Sequence, residues 1–199
     1  MLAVAEGLAC ARGGVPVLEG VAFSLGPGEA LVLTGRNGIG KTTLLRTVAG
    51  LQPALAGRLE VAGGEVAYAA HADGIKPTLT VEENLRFWAR IFGQGKIDAA
   101  LAAFDLEALA DRQGRDLSAG QKRRLGLARL LVTGRWLWLM DEPTASLDTA
   151  SAGLVEAALV RHLEAGGAAL IATHLTLGLE AGRLDLSGHA ARPPAEGWA

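Results

Sequence analysis

Short apolar runs alternate with helical periodicities along most of the chain, and turn residues separate them. Residues 1–34 carry strand signals. Val15 to Leu25 mixes β-branched and apolar residues, Gly26-Pro27-Gly28 is a turn, and Ala30-Leu31-Val32-Leu33-Thr34 reads as a buried strand. Residues 42–50 read as a helix stopped by Gly50. Residues 57–61 and 65–69 look like two short strands around Gly63-Gly64, and a loop rich in turn residues covers 71–80. Thr80-Val81-Glu82-Glu83 has the form of a capping box, in which the Thr80 hydroxyl caps a helix and Glu83 reaches back. That helix runs to about Phe92, where Gly93-Gln94-Gly95 breaks it. Residues 96–112 are helical in pattern, with Leu101, Phe104 and Leu109 as apolar points.

A helix is predicted over about 119–133, a strand over 136–141 and a helix over 149–165, where Val155, Leu159 and Leu163 recur at helical spacing. Residues 168–173 form another buried strand. Strands alternating with helices predict an α/β fold, with a mostly parallel sheet covered on both faces, a β-rich edge and a mainly helical insert at about 71–115. The chain shows no internal repeat. The tail, 190–199, contains Arg192-Pro193-Pro194 and reads as loose.

At 199 residues the chain is one domain, or one with a small lobe inserted. Half the residues are hydrophobic and a fifth charged, which excludes a disordered chain. The net charge of −2 leaves no footprint for nucleic acid. Lys122-Arg123-Arg124 is too short to change that and reads as a solvated helix face. The single cysteine, Cys10, excludes an intramolecular disulfide, fits a reducing compartment and reads as a buried small hydrophobe. The opening Met1-Leu2-Ala3-Val4-Ala5-Glu6 lacks the basic and apolar regions of a secretory signal. No stretch reaches the roughly 18 apolar residues of a spanning helix. Trp136-Leu137-Trp138-Leu139-Met140 is too short for that and reads as a buried strand, so a role at a membrane needs partners to hold the protein there.

Residues 35–42 read Gly-Arg-Asn-Gly-Ile-Gly-Lys-Thr and match G-x-x-x-x-G-K-[ST] at every fixed position, between a strand and a helix as that motif requires. Gly35, Gly38 and Gly40 free the backbone to wrap a polyanion with its N–H groups. Arg36, Asn37 and Ile39 complete the loop, and Thr43 follows it in the first helical turn, where the helix N-terminus adds partial positive charge. Lys41 can reach the β- and γ-phosphates, and the Thr42 hydroxyl can coordinate Mg²⁺. Leu139-Met140-Asp141-Glu142 ends a strand with two carboxylates, at the sheet edge where ligands bind. Asp141 there can hold Mg²⁺ beside Thr42, and Glu142 can orient or deprotonate an attacking water. Leu117-Ser118-Ala119-Gly120-Gln121 opens a helix. Ser118 and Gly120 make its start a second anion-capable cap, although a lone Ser-x-Gly before a helix is only an N-cap.

Gly35 to Thr42, Leu117 to Gln121, Asp141-Glu142-Pro143, Ser146-Leu147-Asp148 and His174 occur in the order found in ATP-binding subunits of ABC transporters. On them the chain resembles that family over nearly its whole length. The resemblance implies an ABC-transporter nucleotide-binding domain spanning 1–199, with a P-loop NTPase core and with ATP and Mg²⁺ as ligands. It implies two such domains paired head to tail, each ATP held between the Lys41 loop of one and the Ser118-Gly120 cap of the other. Ser146-Leu147-Asp148 would lie at that interface, and His174 would be the switch histidine that contacts the γ-phosphate. His174 taken alone is an ordinary loop histidine, and His162 and His189 match nothing in the pattern.

Two positions depart from the family. Its usual adenine-stacking aromatic falls at Arg12, whose guanidinium plane can lie on the base instead. Its usual glutamine is replaced by His71, which can carry a Mg²⁺-bound water or a hydrogen bond and titrates near neutrality, or is an exposed loop histidine. The segment from His71 through Gly74-Ile75-Lys76-Pro77, Leu79-Thr80 and Glu83-Asn84-Leu85 is similar to the ATP-binding subunit of the bacterial cytochrome c maturation system. So are Ala119 in place of glycine, the opening Leu8-Ala9-Cys10-Ala11-Arg12 and the short length. This resemblance implies a peripheral protein on the cytoplasmic face of the inner membrane. Its partners would be a second ATPase subunit and the system's integral membrane subunits, in a complex that handles haem and releases a haem-loaded chaperone. The rival readings are an ABC ATPase for another cargo, a soluble ABC-type regulator or DNA-maintenance ATPase, and a nucleotide-binding subunit without turnover. The missing coiled-coil insert or tandem unit counts against the soluble ATPase, and intact Lys41, Asp141 and Glu142 count against loss of turnover.

Overall fold

The computed structural model describes residues 1–174 and 178–191, organised around two sheets. β1 (Ala3–Arg12), β2 (Val15–Leu25) and β4 (Ala56–Val61) pair antiparallel in the order β2-β1-β4. β3 (Ala30–Thr34), β5 (Val66–Ala69), β6 (Leu137–Asp141), β7 (Ala168–Ala172) and β8 (Gly182–Asp185) pair in parallel in the order β5-β6-β7-β3-β8. The helices are α1 (Lys41–Val48), α2 (Val81–Ile91), α3 (Asp98–Ala103), α4 (Ala119–Ala128) and α5 (Thr149–Glu164).

Every residue of β6 and β7 is buried, as expected of parallel strands covered on both faces. The two-residue strand period divides their side chains between two cores. Leu137, Leu139, Ala168 and Leu170 join Leu44, Leu45 and Val48 of α1 and Leu8, Val21 and Leu25 of the antiparallel sheet. Trp138, Met140, Ala169 and Ile171 join Leu85 of α2, Leu125 of α4 and Val155 and Leu159 of α5. The β-rich layer and most of the helices therefore lie on opposite faces of the parallel sheet. Cys10 is fully buried in the first core, as expected, and burial raises its thiol pKa.

The Gly63-Gly64 turn carries the chain from one sheet to the other, so the two short strands beside it do not pair with each other. The pattern over 96–112 yields a shorter helix than expected. Asp105 adopts the left-handed conformation (φ 49) and the Leu106 N–H bonds back to the Leu101 carbonyl at 2.9 Å, an arrangement that stops α3. The helix expected over 119–133 is α4 followed by a 3₁₀ turn, Arg129–Val132. β8 has no apolar run to predict it. At the tail, Ala190 bridges Leu18 and the Ala191 N–H donates to Val17 O at 3.0 Å, so its first two residues are docked. Arg192-Pro193-Pro194 lies outside the described residues.

Gly57 (φ 83) lies where β4 meets β1, and a Cβ there would sit 2.3 Å from Gly7 O and 2.7 Å from Leu8 Cα. Backbone atoms cannot swing aside as a side-chain tip can. Gly57→Ala is expected to cost about 2–5 kcal/mol, combining left-handed strain with overpacking. An unchanged denaturant midpoint contradicts this.

The His162 ring stacks on Trp138 (centroids 3.7 Å apart, 8° between planes), and its Nε2 lies 3.1 Å from Trp136 O. Burial lowers its pKa, opposed by hydrogen bonds with the Ala168 and Trp136 backbone. The folded pKa lies below the unfolded value of about 6.5, so the unfolded chain takes up the proton first as pH falls. This contribution to stability is full above about pH 6.5 and is lost as pH falls toward the folded pKa. The wild type is expected to lose more stability than His162→Gln between about pH 7.5 and pH 5. Equal slopes in the two proteins contradict the assignment.

Candidate active site

β3 runs directly into the glycine loop and α1. Gly35 (φ 129), Gly38 (φ 79) and Gly40 (φ 122) all have positive φ. A Cβ on Gly40 would meet Cγ of the buried Leu18 at 2.8 Å, so only glycine fits between the loop and the β-rich layer. Gly40 is also the N-cap of α1 and offers no side-chain acceptor, whereas Thr80, Ser118 and Asp148 cap α2, α4 and α5. The first N–H groups of α1 are therefore free for an anion. Lys41 folds back over the loop, with Nζ donating to Gly35 O at 2.9 Å and to Arg36 O at 3.5 Å. Nζ also lies 3.0 Å from His174 Nε2. Lysine offers only donors, so this contact uses the lone pair of the ring nitrogen.

β6 delivers its acids beside the loop. Thr42 Oγ1 donates to Asp141 Oδ2 at 2.8 Å, and the Tyr68 hydroxyl reaches the same oxygen from β5 at 3.4 Å. Burial, with Asp141 adding to it, pushes the Tyr68 pKa up to about 12, so the phenol stays neutral. The hydroxyl and carboxylate oxygens of Thr42 and Asp141 fit a hard cation such as Mg²⁺. Glu142 is held at φ 47, a left-handed conformation that costs a non-glycine residue about 1–3 kcal/mol. Its N–H donates to Ala172 O at 2.8 Å, and its Oε1 lies 3.5 Å from His174 Nε2.

A cleft of about 180 Å³ joins these groups. Asn37, Gly38, Gly40, Lys41, Thr42 and Thr43 line one wall, with Asp141, Glu142, Arg12 and His71 around them. Arg12 and His71 thus reach the loop from distant strand ends. Gly35 and Arg36 contribute their carbonyls to Lys41, Ile39 packs against the core, and His174 joins through Lys41 and Glu142.

Ser118 and Gly120 do not line this cleft. The Ser118 hydroxyl accepts from the Gln121 N–H at 3.3 Å, and Gln121 Oε1 accepts from the Ser118 N–H at 2.9 Å. Gly120 faces Ser146, whose backbone is left-handed (φ 65). The cap and the Ser146 turn form a second surface apart from the cleft.

The basic cluster corrects the sequence reading. Arg123 is 4% exposed and points into the protein, not to solvent. Arg124 is mostly buried too and binds Phe104 O and Asp105. The one available signal is the run Leu125-Gly126-Leu127-Ala128, buried throughout, which leaves α4 little solvated face. Tyr68 was missed as well, and nothing in its neighbourhood marks it as a partner of Asp141.

Residues 18–145 match the family described as ABC transporter. The chain belongs to this family. Among the ABC transporters its relatives are narrow in kind. The cytochrome c biogenesis ATP-binding export protein CcmA of Cereibacter sphaeroides is 64% identical, over 94% of this chain and 90% of its own. The protein of that name from Rhodobacter capsulatus is 61% identical over 99% and 92%, and that from Rhodospirillum rubrum 44% over 96% and 87%. A putative ABC transporter ATP-binding protein from Pyrococcus furiosus superposes with a TM-score of 0.84 at 24% identity, over 95% of this chain and 99% of that one. An ATP-binding subunit of an ABC transporter superposes with a TM-score of 0.81 at 24% identity, over 88% and 80%. Those two likenesses show the fold, the α/β fold of ABC ATP-binding subunits. No helix among the described residues is long and apolar enough to cross a membrane.

Proposed function

We propose that this chain is the ATP-hydrolysing subunit of a membrane ABC complex in cytochrome c maturation, coupling hydrolysis to haem export or to release of a haem-loaded chaperone. The observation that carries the ATPase reading is the cleft itself, where Thr42 and Asp141 meet at 2.8 Å with Lys41 and Glu142 on the same walls. The cytochrome c part rests on the names of relatives up to 64% identical. In this reading residues 1–199 form one ATPase domain, with the helical insert at about 71–115 facing the membrane subunits from the cytoplasmic side of the inner membrane.

The free N–H groups of the loop and of α1 bind the phosphates, and Lys41 offsets the charge that grows on the γ-phosphate. Thr42 and Asp141 would hold Mg²⁺, which bridges the β- and γ-phosphates and neutralises charge there when bound. Glu142 orients water in line with the γ-phosphorus and takes its proton, and His174 is placed to sense that phosphate beside Lys41. Arg12 offers a flat guanidinium to the base, and His71 offers a ring nitrogen at the cleft mouth. Ser118 and Gly120 face away from this cleft, which supports a head-to-tail pair in which a second subunit supplies them. Hydrolysis removes the γ-phosphate contacts and loosens that pair.

Purifying the full chain from native membranes tests the reading. Integral membrane partners, ATP turnover, and loss of c-type cytochromes when the chain is deleted are the expected results. Membrane partners with normal cytochromes would assign the ATPase to another cargo. A chain recovered without membrane partners would contradict the proposal.

A further inference from the structure

The Arg123 guanidinium uses its whole donor fork on the turns that build the cleft. Nη1 donates to Ala70 O at 2.9 Å, His71 O at 3.4 Å and Asp73 Oδ1 at 2.9 Å. Nη2 donates to Asp141 O at 2.9 Å and Glu142 O at 2.8 Å, and Nε to Pro143 O at 3.2 Å. A buried arginine needs a counter-charge, and Asp73 supplies it. The five carbonyl contacts go beyond that need. Three of them fall on consecutive residues around Glu142, whose left-handed backbone (φ 47) persists only where its surroundings over-determine it. The other two fix the end of the segment that presents His71. Arginine's planar fork can span both turns, and the single ammonium of lysine cannot.

We infer that Arg123 is a positioning residue for hydrolysis: it clamps the peptide units on both sides of Glu142 and the His71 backbone into one frame, and so sets the aim of the Glu142 carboxylate. This rests on the ATPase reading. The distinction from mere support is testable, because Asp73→Asn removes the anionic partner while leaving the five carbonyl contacts in place.

The test uses the full chain in its membrane complex. It measures kcat and KM for ATP, affinity for a non-hydrolysable ATP analogue, and the unfolding midpoint. Arg123→Lys is expected to lower kcat by about 10- to 100-fold, the scale of a small misplacement of a catalytic group, with analogue affinity within about twofold. Asp73→Asn is expected to lower the midpoint and to hold kcat within about twofold, because the clamp on Glu142 stays closed. Arg123→Gln repeats the test should lysine not be accommodated. The inference is overturned if Arg123→Lys lowers the midpoint but not kcat, if Asp73→Asn lowers kcat as much, or if neither Arg123 variant folds. A wild-type complex that does not hydrolyse ATP overturns the ATPase reading itself. A working wild type with an equally fast Arg123→Lys removes only the clamp.

Discussion

Glu142→Gln is expected to stop turnover while leaving nucleotide bound. The carboxamide keeps the size of the side chain and one acceptor oxygen, but it cannot take a proton from water. Loss of a general base costs about 10²–10⁴-fold in kcat. The backbone should hold, because the N–H of residue 142 bonds Ala172 O and its carbonyl bonds Arg123 whatever the side chain. Affinity for ATP should therefore persist, and ATP-bound pairs of subunits should accumulate, visible as a doubling of mass in sedimentation. Hydrolysis at the wild-type rate would remove Glu142 as the base.

Lys41→Ala is expected to fail at the earlier step. Its ammonium lies over the loop, 2.9 Å from Gly35 O, and lines the cleft beside Thr42. Removing one preorganised donor at developing charge costs about 10²–10³-fold in kcat. Here the same charge also holds the ground-state phosphates, so KM should rise with it. Analogue affinity separates the two variants: Glu142→Gln retains it and Lys41→Ala loses it. Fold stability should move little, since alanine suits the first turn of α1 and the loss is mainly that of one charge-assisted hydrogen bond, about 1.5–3 kcal/mol at most. Normal analogue affinity in Lys41→Ala would contradict the placement of the phosphates.

The parts of the site legible in the sequence were those that a local pattern dictates. β3, β6 and β7 are short apolar runs because both faces of each are covered, and Gly35, Gly38 and Gly40 are glycines because the loop needs positive φ. The Thr80 capping box was legible because its partners are three residues apart. What failed to show depends on contacts between distant segments. Arg123 looks like a surface cation until β5 and β6 bring their carbonyls to it. Tyr68 becomes a partner of Asp141 only through the β5–β6 pairing, and His162 finds Trp138 only when α5 packs on β6. β8 is an edge strand whose polar residues carry no period. Ser118 was read as an anion cap, and its hydroxyl is engaged by Gln121, so a phosphate there would meet the helix N–H groups and a hydroxyl already in use.

A crystal structure of the Glu142→Gln chain with ATP bears most directly on the shared site. Two copies should enclose two nucleotides, with the γ-phosphate on Lys41 of one copy within hydrogen-bond reach of Ser118 and Gly120 from the other. A lone copy whose own side chains surround the nucleotide, with its Ser118 surface bare, would contradict the account.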